Sequence, residues 1–125
     1  MLAKIALIDD DHDIITLFSE ILELNGYTIA TFTDPIDAFT NLQANIEDYD
    51  LIISDFKMPC LSGNSLCQKL LTINPELKVI IISAYSDIEY DRKFTFVSKP
   101  LSMPKLLQIV GEKLKEQKKP QVSIV

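Results

Sequence analysis

Short apolar runs, each broken off by a residue able to do chemistry, constrain this chain more than any other feature. Ile5-Ala6-Leu7-Ile8 stops at Asp9-Asp10, and Leu51-Ile52-Ile53-Ser54 stops at Asp55. Val79-Ile80-Ile81-Ile82 stops at Ser83, and Phe94-Thr95-Phe96-Val97-Ser98 stops at Lys99. Runs of this length, apolar or β-branched and bounded by polar residues, read as strands buried on both faces, as in a parallel sheet. Ligands of an open parallel sheet bind beyond the carboxyl ends of its strands. If the runs are strands of one sheet, three carboxylates, a hydroxyl and an ammonium share one rim. Such a group suits a cation together with a phosphoryl group.

The stretches between the runs carry helical periodicity, giving the βαβα alternation of a parallel sheet covered on both faces. Ile14, Leu17, Phe18, Ile21 and Leu22 recur at helical spacing, and Asn25-Gly26 ends that helix because glycine suits the left-handed stop position. Residues 27–31 alternate and read as a second strand. Asp34 caps the next helix with Pro35 at its first position, and Ala38, Phe39 and Leu42 form its inner face. The segment FKMPCLSG (residues 56–63) reads as a loop, followed by a third helix carrying Leu66, Leu70 and Leu71. A last helix starts at Ser102-Met103-Pro104 and faces the sheet with Met103, Leu106, Leu107, Val110 and Leu114. Between the fourth and fifth strands lie only residues 84–93, whereas a crossover connection needs about a dozen or more residues. A helix there is expected to be shortened or absent, at most about two turns over residues 87–92. One domain is expected over residues 1–117, with 118–125 as a tail or linker stub.

Composition narrows the function. A chain of 125 residues suits a single domain. Its net charge of −6 argues against direct binding of nucleic acid. Lysines concentrate in the last helix and beyond, which reads as a solvated helix end. Cys60 and Cys67 form no C-x-x-C pattern, so reduced thiols are expected rather than zinc or a disulfide. The longest apolar run, 79–82, is far too short for a membrane span, and acids at 9–11 precede any signal-length apolar segment. A soluble, cytoplasmic protein with no membrane partner is expected.

The acidic residues need a cation. Adjacent Asp9 and Asp10 repel each other and, without an ion, one takes up a proton more readily. Asp55, at the end of the neighbouring strand, adds a third negative charge. Mg²⁺ relieves the conflict, since it prefers oxygen ligands, retains several waters and uses one or two carboxylates beside a phosphoryl oxygen. Asp11 reads as the cap of the first helix and His12 as a solvated first-turn residue. The bond to Pro100 restrains Lys99 to an extended or turn conformation and is open to the cis form. Ser83 offers a hydroxyl able to donate to an anionic oxygen. Together these groups suit phosphoryl transfer onto a carboxylate, where positioning and electrostatic stabilisation set the rate.

The segments IALIDDD (5–11), DLIISDFKMPCLSG (50–63), VIIISAY (79–85) and FVSKP (96–100) resemble, in this order, the receiver domain of two-component response regulators. The resemblance implies a flavodoxin-like, doubly wound, five-stranded parallel sheet of order 2-1-3-4-5 with helices on both faces. It implies that Asp55 is the phosphoacceptor, with Mg²⁺ bound directly by Asp10, through water by Asp9, and by Asp55 and the Lys57 backbone carbonyl. Ser83 would be the switch hydroxyl, Lys99 would pair with the phosphoryl group, and Phe96 falls at the aromatic switch position. The implied donor is a sensor histidine kinase or phosphotransfer protein, and the output goes to a downstream protein or domain. Such a chain catalyses only its own phosphotransfer and dephosphorylation. Lys57 and Tyr85, two residues beyond Asp55 and Ser83, are placed to screen attacking water and slow hydrolysis. The short 84–93 segment removes much of the usual output face. A receiver-like interaction module that works without phosphorylation is the alternative. An aspartyl-phosphate phosphatase of the dehalogenase type would need a second Asp where Lys57 stands.

Overall fold

The computed structural model describes residues 3–84 and 94–116. The described residues form five strands and four helices, in the order β1 (Lys4–Ile8), α1 (His12–Leu24), β2 (Thr28–Phe32), α2 (Pro35–Asn45), β3 (Leu51–Asp55), α3 (Gly63–Ile73), β4 (Val79–Ser83), β5 (Thr95–Ser98) and α4 (Met103–Lys115). A single 3₁₀ turn, Ile46–Asp48, lies between α2 and β3. The strands form one parallel sheet of order β2-β1-β3-β4-β5, the flavodoxin-like arrangement.

Burial follows position in the sheet. Every residue of β3 and β4 is buried, whereas the edge strands β2 and β5 are only partly so. This is why the central strands are continuous Ile, Leu and Val and the edges carry Thr and Ser. Side chains alternate between two apolar layers. Ile5, Leu7, Leu51, Ile53, Ile80 and Ile82 pack with α1 and α4. Ala6, Ile8, Ile52, Val79, Ile81 and Phe94 pack with α2 and α3.

Each helix begins at an Asp or Ser whose side chain accepts a backbone N–H: Asp11, Asp34, Ser62 and Ser102. These caps satisfy amide groups that have no partner within the helix. Gly26 takes a φ of 92° just after α1, the conformation its lack of a side chain allows. At the opposite end, the Lys78 ammonium donates to the carbonyls of Leu114 and Glu116 and closes α4.

The expected inner faces of α1 and α4 pack against the core, Phe18, Leu22, Leu106 and Val110 at their centre, with a few departures. Ile15, not Leu17, is buried in α1, and Leu17 is 49% exposed. In α4, Ile109 and the stem of Lys113 are buried beside Leu106 and Val110, while Met103, Leu107 and Leu114 are half-buried. Where apolar residues outnumber the buried positions, spacing alone leaves the helix rotation undetermined. The edge strands β2 and β5 each start one residue later than expected. The expectations of a shortened helix at 87–92 and a tail at 118–125 fall outside the described residues.

Candidate functional site

The parallel registers bring the run ends together. Ile8 pairs with Ser54, Asp55 with Ile82, and Ser83 with Ser98. Asp9, Asp55, Ser83 and Lys99 therefore lie at one edge of the sheet, at its carboxyl end.

Asp9 and Asp55 are buried, and Asp10 is exposed. One carboxylate oxygen from each lies within 4.8 Å of the others. Two oxygens on one Mg²⁺ stand at most about 4.2 Å apart, so a small closure or an intervening water would complete such a site. The donor set, carboxylate oxygen throughout, fits a hard divalent cation. The Asp9 side chain also accepts the Asp11 N–H at 2.9 Å, which orients it toward the loop that starts α1.

Lys99 supplies the opposing charge. Its Nζ lies 2.9 Å from Asp55 Oδ1, and its backbone N–H donates to the Ser83 carbonyl at 2.8 Å. The Lys99–Pro100 bond is cis. Asp55, Lys57, Ser83, Ala84 and Lys99 line a cavity of about 190 Å³, roomy enough for a phosphoryl group. Ser83 is buried, and Phe96 is half-buried against the α2/α3 side of the core. His12 is exposed at the start of α1, Cys60 is exposed and Cys67 is buried, both as free thiols.

Burial, more than the neighbouring Asp10 charge, sets the state of Asp9. Burial pushes the Asp9 carboxyl up to about 6; the Asp11 N–H bond opposes this, and the Asp55 charge adds to it. Burial works against the Lys99 ammonium. The Asp55 hydrogen bond and the charges of Asp55, Asp9 and Asp10 outweigh it, so its pKa stands above the ordinary value.

Two contributors have no signal in spacing. Ser54 is fully buried and donates through Oγ to the Asp55 carbonyl at 2.9 Å. Gly63 packs so tightly that a Cβ there would meet the same carbonyl oxygen at 2.1 Å. A glycine directly after the α3 cap is the hint that sequence offers for the second; nothing comparable marks the first.

Residues 5–111 match the family described as response regulator receiver domain. The chain belongs to this family. Among its relatives, the C4-dicarboxylate transport transcriptional regulatory protein DctD of Rhizobium meliloti is 32% identical over 111 residues, covering 84% of this chain and 24% of that protein. The response regulator receiver protein CpdR of Brucella abortus is 27% identical over 117 residues, covering 89% of this chain and 96% of that one. A solved receiver domain from Clostridium thermocellum superposes with a TM-score of 0.81 at 26% identity, covering 90% of this chain and 94% of that one. This chain spans less than a third of the length of several curated relatives, DctD among them. It is thus a two-component receiver domain with an acidic pocket of Asp9, Asp10 and Asp55 that could hold a metal ion. Among the described residues no helix is long and apolar enough to cross a membrane.

Proposed function

We propose that this receiver is a phosphorylation-driven cytoplasmic switch in which Asp55 accepts a phosphoryl group from a sensor histidine kinase or phosphotransfer protein, with Mg²⁺ as cofactor. The observation that carries the reading is the 2.9 Å contact between Lys99 Nζ and Asp55 Oδ1 beside the three clustered carboxylates. A phosphohistidine donor loses its P–N bond as a P–O bond forms to an Asp55 oxygen, and the imidazole leaves. Asp10 would hold the metal directly and Asp9 through water, with Asp55 and the Lys57 carbonyl as further ligands. When bound, Mg²⁺ would stabilise charge on the phosphoryl oxygens. Lys99 neutralises Asp55 beforehand and is placed to take a phosphoryl oxygen afterwards.

The product adds roughly two negative charges in a buried place. Ser83 lines the same cavity and would donate to a phosphoryl oxygen, with Phe96 following as the aromatic switch. Moving such a device from mostly off to mostly on requires about 5.5 kcal/mol of preference for one state. The functional unit spans residues 1–117, with 118–125 as tail or linker, and its output passes to a downstream protein or domain.

Incubation with Mg²⁺ and acetyl phosphate, read by intact mass, tests the reading. A phosphate-sized gain lost in Asp55→Asn and retained in His12→Ala is expected. No gain in the wild-type protein would overturn the proposal and favour an interaction module that works without phosphorylation.

A further inference from the structure

Ser54 stands one residue before the acceptor, on the opposite face of β3 from Asp55 and among apolar side chains. A buried hydroxyl needs an acceptor, because leaving it unpaired costs about 1–3 kcal/mol. Here the acceptor is the main-chain carbonyl of Asp55 itself, at 2.9 Å. Ile8 and Ser54 form the last pair between β1 and β3, so Asp55 lies one residue past that ladder. The start of α3 presses on the other side: a Cβ at Gly63 would stand 2.1 Å from the Asp55 carbonyl oxygen and 2.7 Å from Ser54 Oγ.

The chain beyond Asp55 is tied at two further points. Phe56 N–H donates to the Ile82 carbonyl at 2.8 Å, and the Phe56 carbonyl accepts the Gly63 N–H at 2.8 Å. The Asp55–Phe56 peptide is therefore held at both of its polar groups, its N–H by the sheet and its carbonyl by the Ser54 side chain, and the next peptide is held by the start of α3. A shift of the Asp55–Phe56 peptide would move the Cα atoms that flank it, one carrying the acceptor carboxylate and the other leading to the Lys57 carbonyl.

We propose that Ser54 is a positioning residue: its hydroxyl holds the carbonyl end of the Asp55–Phe56 peptide, whose N–H end the sheet holds, and so helps place the Asp55 carboxylate and the Lys57 carbonyl around a divalent cation. This rests on the reading of the acidic pocket as a Mg²⁺ site. A hydroxyl that only satisfies the core would affect folding stability and leave metal affinity of the folded protein unchanged. The two roles separate experimentally.

Thr and Val are both β-branched and nearly the same shape, so Ser54→Thr and Ser54→Val differ chiefly in the hydroxyl. Mg²⁺ binding to the full chain is measured by isothermal titration calorimetry, with Ser54→Ala as a smaller variant that cannot overpack the site. Ser54→Thr is expected to bind Mg²⁺ like the wild type. Ser54→Val and Ser54→Ala are expected to bind about tenfold more weakly, the lower end of the effect of removing an outer partner from a metal site. Equal affinity in Thr and Val variants, or wild-type affinity in Ser54→Ala, overturns the proposal. A wild-type protein that binds no Mg²⁺ overturns the metal reading and this inference with it. Failure of Asp55 to gain phosphate while the Thr and Val variants still differ would remove only the acceptor assignment.

Discussion

Lys99 Nζ lies 2.9 Å from Asp55 Oδ1, joining an ammonium side chain that is 39% exposed to a carboxylate side chain that is 8% exposed. The pair is lopsided. Asp55 is fixed at the end of a fully buried strand, whereas Lys99 reaches it from a half-open loop whose backbone is tied to Ser83. Water screens the lysine, so the contact contributes little to folding. Its value lies in where the charge is held, beside a carboxylate that would become a phosphate.

Lys99→Ala therefore separates stability from chemistry. Urea unfolding is expected to change by no more than about 1 kcal/mol. Labelling by acetyl phosphate, followed as intact mass against time, is expected to slow about a hundredfold, as when an electrostatic stabiliser of a transition state is removed. A variant that unfolds readily yet labels at the normal rate would contradict both halves.

Lys57 shares the cavity with Asp55, Ser83 and Lys99. If its side chain screens the water that would attack an Asp55 phosphate, Lys57→Ala is expected to shorten the acyl-phosphate lifetime. The check is loss of the mass gain with time after the phosphodonor is removed. Unchanged decay in this variant would eliminate the screening role.

Much of this was legible from residue order because the deciding features are local. Four apolar runs ending in Asp, Ser or Lys specify strand ends, and the parallel sheet then gathers Asp9, Asp55, Ser83 and Lys99. Caps such as Asp34-Pro35 were equally plain, since an Asp side chain and a proline at the first turn act within a few residues. Helix rotation was less so: Ile14, Ile15, Leu17 and Phe18 crowd α1, and only packing against the sheet selects Ile15 over Leu17. The hold on the Asp55 carbonyl is the least legible feature, with only the glycine after the α3 cap as a hint. Ser54 looks like any strand serine until its partner is seen, and the Gly63 contact joins two elements across a loop.

Gly63→Ala is expected to destabilise the protein by about 1–3 kcal/mol or more, the usual cost of forcing extra volume into a packed site. The obstacle is backbone, the Asp55 carbonyl, which cannot swing aside as a flexible side chain would. Any relief must come from shifting α3 or bending the acceptor peptide. Denaturant unfolding should therefore show the loss, and phosphate labelling of the remaining folded protein should slow. A Gly63→Ala protein of wild-type stability would show that α3 can retreat from β3 without cost.

The Asp9 carboxyl, raised to about 6 from an ordinary 3.8, makes stability depend on pH in a defined direction. The folded state holds a proton on Asp9 between these values while the unfolded chain has released it. Its stabilising contribution is fully present below about pH 4 and is lost as pH rises through about 6. For the metal-free protein, Asp9→Asn removes this dependence and is expected to raise stability at pH 7.5 by on the order of 2 kcal/mol. Mg²⁺ reverses the balance because it binds the ionised carboxylates. Added Mg²⁺ should stabilise the wild-type protein at pH 7.5, by linkage to the folded state, and this gain should fade as pH falls below about 6. Asp9→Asn should show a weaker Mg²⁺ effect at every pH. Thermal unfolding of both proteins from pH 5 to 8, with and without Mg²⁺, checks all three statements, and a wild-type Mg²⁺ effect independent of pH would contradict the assignment of Asp9 to the metal site.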